Sequence, residues 1–285
     1  MINMFFKPKE KVVTHTYSQY GIPGEYFITT NCRLKVIIDP PKDYFGRQLK
    51  KDRKDYDKLL LIHGAETPDL NDIKKEILEN GSAFDRICSF DTDIVKAFPH
   101  AQLFCFGSCW VLTDRSGKPA ALRKDYHPHF HLKNKLKVSF IRSHKKAMSG
   151  HKLRYELEDI IQKQYPYEIY FPKERIETKL PLFEDAMYHI TIENSRYNNY
   201  ITEKVIDCFM SYTVPIYWGC PNIGEHFDKR GIITFENKAE LEQILNNLDT
   251  SFYTDNLEAI KRNYETAKNK FAFFFDNINE VIQTL

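Results

Sequence analysis

Residues 188–221 constrain this chain more than any other stretch. Ile190 and Ile192 alternate with Thr191 and Glu193, the period-two pattern of a β-strand. A polar loop, 194–200, follows. Thr202 then stands where a helix N-cap belongs, with Glu203 in the first turn. Val205, Ile206, Phe209 and Met210 repeat at helical spacing and give that helix one apolar face. Residues 214–218 form an apolar run that stops at Gly219 and Pro221, the mark of a buried strand with an abrupt end. The pattern predicts a βαβ unit with parallel strands and a right-handed crossover. The polar loop and the helix start fall at the carboxyl end of the first strand, where open α/β sheets take their ligands.

The same alternation runs along most of the chain. Residues 34–38, 58–62, 84–90 and 101–106 read as strands, with helices over 69–79 and 92–98 between them. Residues 39–57, rich in Pro, Lys and Asp, read as a solvated loop. Residues 122–137 hold three histidines and no helical period, and are expected to join two domains. Beyond them come a strand at 137–141, one long helix over 150–164, a strand at 168–170 and the central βαβ unit. A strand at 231–235 and helices over 238–248, 254–268 and 274–285 complete the reading. The expected architecture is therefore α/β, with two Rossmann-like domains, 1–128 and 129–285, whose parallel sheets face an interdomain cleft.

Composition narrows the function classes. The 285 residues carry a formal net charge of +2, which gives no case for nucleic acid. No apolar run approaches the ~18–20 residues needed to span a bilayer. The N-terminus lacks the apolar core of a signal peptide, so a cytoplasmic protein is expected, at most peripheral to a membrane. The six cysteines form no CxxC pair and are expected to be reduced, with Cys105 and Cys109 in the core.

Several side chains stand where they can carry chemistry. Lys204 at a helix start adds a full charge to the partial charge and free N–H groups there, which suits a phosphate. Glu203 beside it can accept from a ribose diol. Asn194, Arg196 and Tyr200 converge on the same strand end. Arg154 follows a second strand and loop, and its planar fork suits a diphosphate. Ser143 and Lys145 lie in the loop between and can reach the same anion. Glu66, directly after strand 58–62, reads from its position either as a helix-capping or loop glutamate or as a general base. Asp91-Thr-Asp93 has metal-binding spacing but opens a short helix, where these residues are ordinary caps. His127, His129 and His131 alternate without a thiol or acidic partner, so no metal is expected there.

The segment Ile192-Glu-Asn-Ser, four residues, then Tyr200-Ile-Thr-Glu-Lys204, followed by Val214-Pro-Ile-Tyr-Trp-Gly219, resembles the signature of the family 10 glycosyltransferases, the α-1,3/4-fucosyltransferases. The resemblance is strong over 135–235 and negligible before Leu34. It implies a GT-B fold and an inverting enzyme. Fucose would pass from GDP-fucose to a glycan hydroxyl with no obligatory metal, a divalent ion acting at most as a stimulant. Asn194, Tyr200, Glu203 and Lys204 match the donor-binding loop and helix start, with Glu203 on the ribose and Lys204 on the diphosphate. Arg154 is similar to the arginine that clamps the diphosphate. Glu66-Thr-Pro68 is similar to the family's Glu-Ser-Pro, whose glutamate is the base in some members. Asn199 stands where many members have Asp. The relatives it resembles are bacterial or viral. Another nucleotide sugar, or a non-catalytic glycan-binding protein of the same fold, remain alternatives. The acceptor, the linkage and the oligomeric state are left open by these residues.

Overall fold

A computed structural model describes residues 13–16, 32–64, 70–111, 130–172, 176 and 178–285. Residues Met1–Phe104 and Phe275–Leu285 form one compact unit, and Cys105–Phe274 another.

The first unit runs β1 (Val13–Thr16), β2 (Leu34–Ile38), α1 (Arg47–Asp55), β3 (Lys58–His63), α2 (Leu70–Asn80), β4 (Arg86–Ser89), α3 (Thr92–Ala97) and β5 (Ala101–Leu103). The five strands among its described residues are all parallel and lie in sequence order, β1-β2-β3-β4-β5. Ile37, Leu59, Leu61 and Ile87 share one cluster with Leu49 of α1, Ile73 and Ile77 of α2 and Ile94 of α3. The three helices therefore cover the same sheet face, as right-handed crossovers in one direction require.

The solvated loop expected over 39–57 is instead a 3-10 turn, Lys42–Phe45, followed by α1. Its high charge hides a narrow apolar stripe, Tyr44, Phe45 and Leu49, all buried. Asp52 is buried with them. It accepts from Lys35 at 2.5 Å, Tyr44 at 2.9 Å and Gln48 at 2.7 Å, so the charges that suggested solvent are partly internal.

The second unit runs β6 (Lys137–Phe140), α4 (Ser149–Glu156), α5 (Glu158–Ile161), β7 (Glu168–Tyr170), α6 (Leu180–Phe183), β8 (Tyr188–Ile192), α7 (Glu203–Met210), β9 (Val214–Trp218), β10 (Ile233–Thr234), α8 (Lys238–Asn247), α9 (Ser251–Asp255) and α10 (Leu257–Lys270). A final helix, α11 (Phe274–Gln283), groups with the first unit, where the Lys58 ammonium donates to the Leu285 carbonyl. The strand order is β10-β9-β8-β6-β7, again all parallel. The chain steps outward from β6 to β7, then crosses back to β8 and continues to β10 on the other side. The reversal lies between β6 and β8.

Two expected helices are broken. The one over 150–164 divides at Leu157, where Glu158 is held by both Nε and an Nη of Arg142 at 2.9 and 3.1 Å. The one expected from residue 254 divides at Asn256, whose amide turns back to the Phe252 carbonyl at 2.8 Å and satisfies the end of α9.

Helices cover both faces of this second sheet. Val138, Phe140, Tyr188, Ile190, Val214 and Ile216 pack with Leu157 and Ile160 on one side and Leu241 and Leu245 of α8. Tyr217 packs on the other side with α7 and α10. The apolar face read for α7 is buried as expected, through Val205, Ile206, Phe209 and Met210. Each contributes about 1.5–3 kcal/mol. The polar alternates of β8 do not face water. Thr191 and Glu193 lie under α7, fully buried, because β8 is central and both faces are covered.

Candidate active site

The carboxyl ends of β6 and β8 bracket the point where strand order reverses, the location that leaves an open crevice in a doubly wound sheet. Two helices begin there. Gly150, in the first turn of α4, lies so close to the end of β8 that an added Cβ would sit 1.7 Å from the Glu193 carbonyl oxygen. Its N–H donates to the Asn194 carbonyl at 3.0 Å. The absence of a side chain at 150 is thus what lets α4 start against the strand end.

Arg154, one turn into α4, is buried. Its guanidinium donates to the Ile192 carbonyl and, at 3.1 Å, to the Asn194 side-chain oxygen. His151 also hydrogen-bonds Asn194 and accepts from the Met148 N–H at 3.2 Å. Burial, then the charges of Arg154, Lys145 and Lys204, push the His151 imidazole down to about 4, so it is neutral. One neutral imidazole thus feels three cations from three places in the sequence, a local positive field at the strand reversal.

Thr202 caps α7 through its hydroxyl, as the sequence predicts. The same hydroxyl donates to Glu193 at 2.5 Å, and the Thr202 N–H donates to the other Glu193 oxygen at 3.2 Å. Lys204 lies 3.0 Å from Glu203 and 3.7 Å from Glu193. Burial pushes the Glu193 carboxyl up, against the pull of Lys204. Burial would push Glu203 up too, but the Lys204 and Lys179 ammoniums bring it down to about 2. Glu203 is therefore the ionised acceptor at the helix start, and Glu193 braces the loop from below.

The loop between β8 and α7 is shaped by Asn199, at φ 61°. Asparagine tolerates this left-handed conformation better than most residues. Its N–H donates to the Asn222 side chain at 2.8 Å, and its own oxygen accepts from Asn222 at 2.9 Å and lies 2.9 Å from His226 Nε2. Arg196 is paired through two nitrogens with Glu236 and lies over the Trp218 ring, 5.6 Å from its centroid.

The structure thus places Arg154, Asn194, Glu203 and Lys204 around one strand reversal, with the exposed Ser143 and Lys145 on the loop after β6. Tyr200 is buried behind the loop, its ring edge-on to Tyr197 at 6.4 Å. Glu66 lies outside the described residues, as do His127 and His129. Asp91 caps α3 through its side chain, and both Asp91 and Asp93 pair with Lys74, at 2.9 and 2.5 Å. Cys109 is buried as expected and Cys105 half-buried. Glu193, Gly150, His151, Lys179 and Asp207 escaped sequence reasoning. Of these, only Gly150 carried a signal, a glycine opening a helix just after a strand.

Residues 130–257 match the model of glycosyltransferase family 10 (fucosyltransferase), C-terminal part. Through these residues, somewhat under half of the chain, it is similar to glycosyltransferase family 10. The family 10 region contains the whole strand reversal, from β6 to α7. An α-(1,3)-fucosyltransferase, FucT, of Helicobacter pylori is 29% identical over 109 residues, 36% of this chain and 22% of that protein. A putative fucosyltransferase, R654, of Acanthamoeba polyphaga mimivirus is 31% identical over 75 residues, 25% of this chain and 12% of that protein. The matched part therefore spans less than a quarter of either relative. A solved structure of Anabaena Alr3699/HepE in complex with UDP-glucose superposes with a TM-score of 0.58 at 10% identity, covering 88% of this chain and 79% of that one. That likeness concerns the fold, an α/β chain of GT-B type with parallel sheets. No helix among the described residues is long and apolar enough to cross a membrane.

Proposed function

We propose that the chain is an inverting glycosyltransferase that moves fucose from GDP-fucose to a hydroxyl of a glycan acceptor. The observation that carries this reading is the meeting of Arg154, Asn194, Glu203 and Lys204 at the β6–β8 reversal inside the family 10 region. The acceptor hydroxyl gives its proton to a general base, for which Glu66 is the candidate, and its oxygen attacks the anomeric carbon. The bond from that carbon to the diphosphate oxygen breaks on the opposite side. Lys204 and the N–H groups that open α7 meet the charge on the departing GDP. Glu203 accepts from the ribose. Arg154 acts chiefly by holding Asn194 and the end of β8 in place, with its charge adding to the local field.

Thermal unfolding with nucleotides tests the reading. GDP at 100 times its Kd should stabilise the fold by about 2.7 kcal/mol, and UDP should not. Stabilisation by UDP alone would replace the donor, and stabilisation by neither would remove the donor site. Lys204→Ala should lower turnover on the order of 10²–10³-fold. Glu66→Gln should abolish transfer while GDP still binds, and retained transfer would place the base elsewhere.

A further inference from the structure

From the donor-binding residues Glu203 and Lys204 a chain of alternating charges runs inward to Lys179 and Asp207, which the proposed reaction does not use. Asp207, on the buried side of α7, has no exposed surface. It accepts from the Trp110 and Val111 N–H groups at 2.6 and 2.9 Å and from Lys179 at 2.7 Å. The Lys179 ammonium lies 4.9 Å from the centre of the Trp110 ring and 3.9 Å from Glu203. Glu203 pairs with Lys204, and Lys204 approaches Glu193. The order is carboxylate, ammonium, carboxylate, ammonium, carboxylate, drawn from three separate segments. Three acids face two cations, so the Lys179 charge decides whether Lys204 is swamped by its acidic neighbours.

We infer that Lys179 is a positioning residue for donor binding, sharing the Glu203 carboxylate so that Lys204 keeps charge to offer an incoming diphosphate. The inference rests on the donor-site reading above. Lys179 touches no donor atom itself, and acts through Glu203. With Lys179 gone, Glu203 turns wholly to Lys204, which then has less charge to give an incoming diphosphate. The groups facing Glu203 are Lys204 and Asp207 on its own helix, Thr202 at the cap, Glu193 beyond β8 and Lys179 before α6. Burial opposes ionisation of Glu203 and the two ammoniums favour it, so losing one lets the carboxyl titrate at higher pH.

The test is GDP titration of the full chain by calorimetry between pH 4.5 and 7.5. Lys179→Met leaves Asp207 buried without its cation and endangers folding. The double variant Lys179→Met/Asp207→Asn removes that charge while the amide oxygen still accepts from Trp110 and Val111. We expect it to fold, to bind GDP about tenfold more weakly than wild type at pH 7.5, and to close part of that gap toward pH 4.5 as protonation of Glu203 releases Lys204. Lys179→Arg should regain most of the wild-type affinity, with every comparison made at matched pH because the terminal phosphate of GDP itself titrates at about pH 6. A folded double variant equal to wild type in GDP affinity at every pH would overturn the inference. So would failure of Lys179→Arg to do better than the double variant. Wild type that binds no GDP would instead overturn the donor-site reading.

Discussion

The Arg154 guanidinium donates to the Asn194 side-chain oxygen at 3.1 Å and to the Ile192 carbonyl, tying the first turns of α4 to the end of β8. A buried arginine used this way is a strut as well as a charge. Arg154→Ala should cost about 1.5–3 kcal/mol for the lost charged hydrogen bonds. Chemical denaturation would show this as a lower midpoint with an unchanged slope. Full stability in the variant would mean that the strand end is held by other contacts.

Gly150→Ala should be more harmful than its size suggests. The new methyl would meet a backbone oxygen at 1.7 Å, which cannot rotate away. Overpacking of this kind costs about 1–3 kcal/mol. Because α4 must then shift away from Asn194, GDP affinity should fall together with stability. A variant equal to wild type in both measurements would contradict the close approach.

Stability should decline on mild acidification, with the histidines as the first cause. Burial, before any neighbouring charge, pushes His63 and His151 down to about 4 and His189 to about 3. Unfolded histidine titrates near 6.5. Between those values the unfolded chain binds a proton that the folded chain refuses. Stability is therefore complete above pH ~6.5 and falls below it, by up to about 1.4 kcal/mol per pH unit for each histidine. Glu203 acts in the same direction in a lower window, from its ordinary value down to about 2. His189→Gln should make the decline between pH 6.5 and 5 shallower by one proton, measured from urea midpoints. An unaltered slope would show that His189 takes no part.

Asn199→Ala combines two costs. The left-handed backbone at φ 61° disfavours alanine by roughly 1–2 kcal/mol, and the bonds to Asn222 and His226 are lost. Asn199→Gly removes the bonds and keeps the backbone at ease. Thermal unfolding should rank wild type above glycine and glycine above alanine. Alanine equal to glycine would mean that the loop readjusts its backbone freely.

Much of this was legible in the sequence because it is local. The β8–α7–β9 unit announces itself through period-two and helical spacing, a Thr202 cap and a Gly-Cys-Pro stop. Arg154, Asn194, Glu203 and Lys204 stand at strand ends, and the strands bring those ends together. What stayed hidden is non-local. Asp207 meets Lys179 across 28 residues and Trp110 across 97, and no spacing rule connects them. Helix α1 was obscured because Asp52 spends its charge inward, on Lys35. Glu193 reads in the sequence only as a polar alternate of a strand, and its complete burial follows from α7 lying over it.

The two sheets also differ in how they can change. Strands in the first follow one another across the sheet in a single direction, with α1 to α3 on one face. A further strand and helix added beyond β5 would lengthen that sheet without disturbing its middle. The second sheet has its opening in the centre, between β6 and β8, so any insertion that reorders its strands destroys the crevice. Variation in size among chains of this architecture should therefore accumulate at the outer edge of the first unit, while the interior of the second is kept.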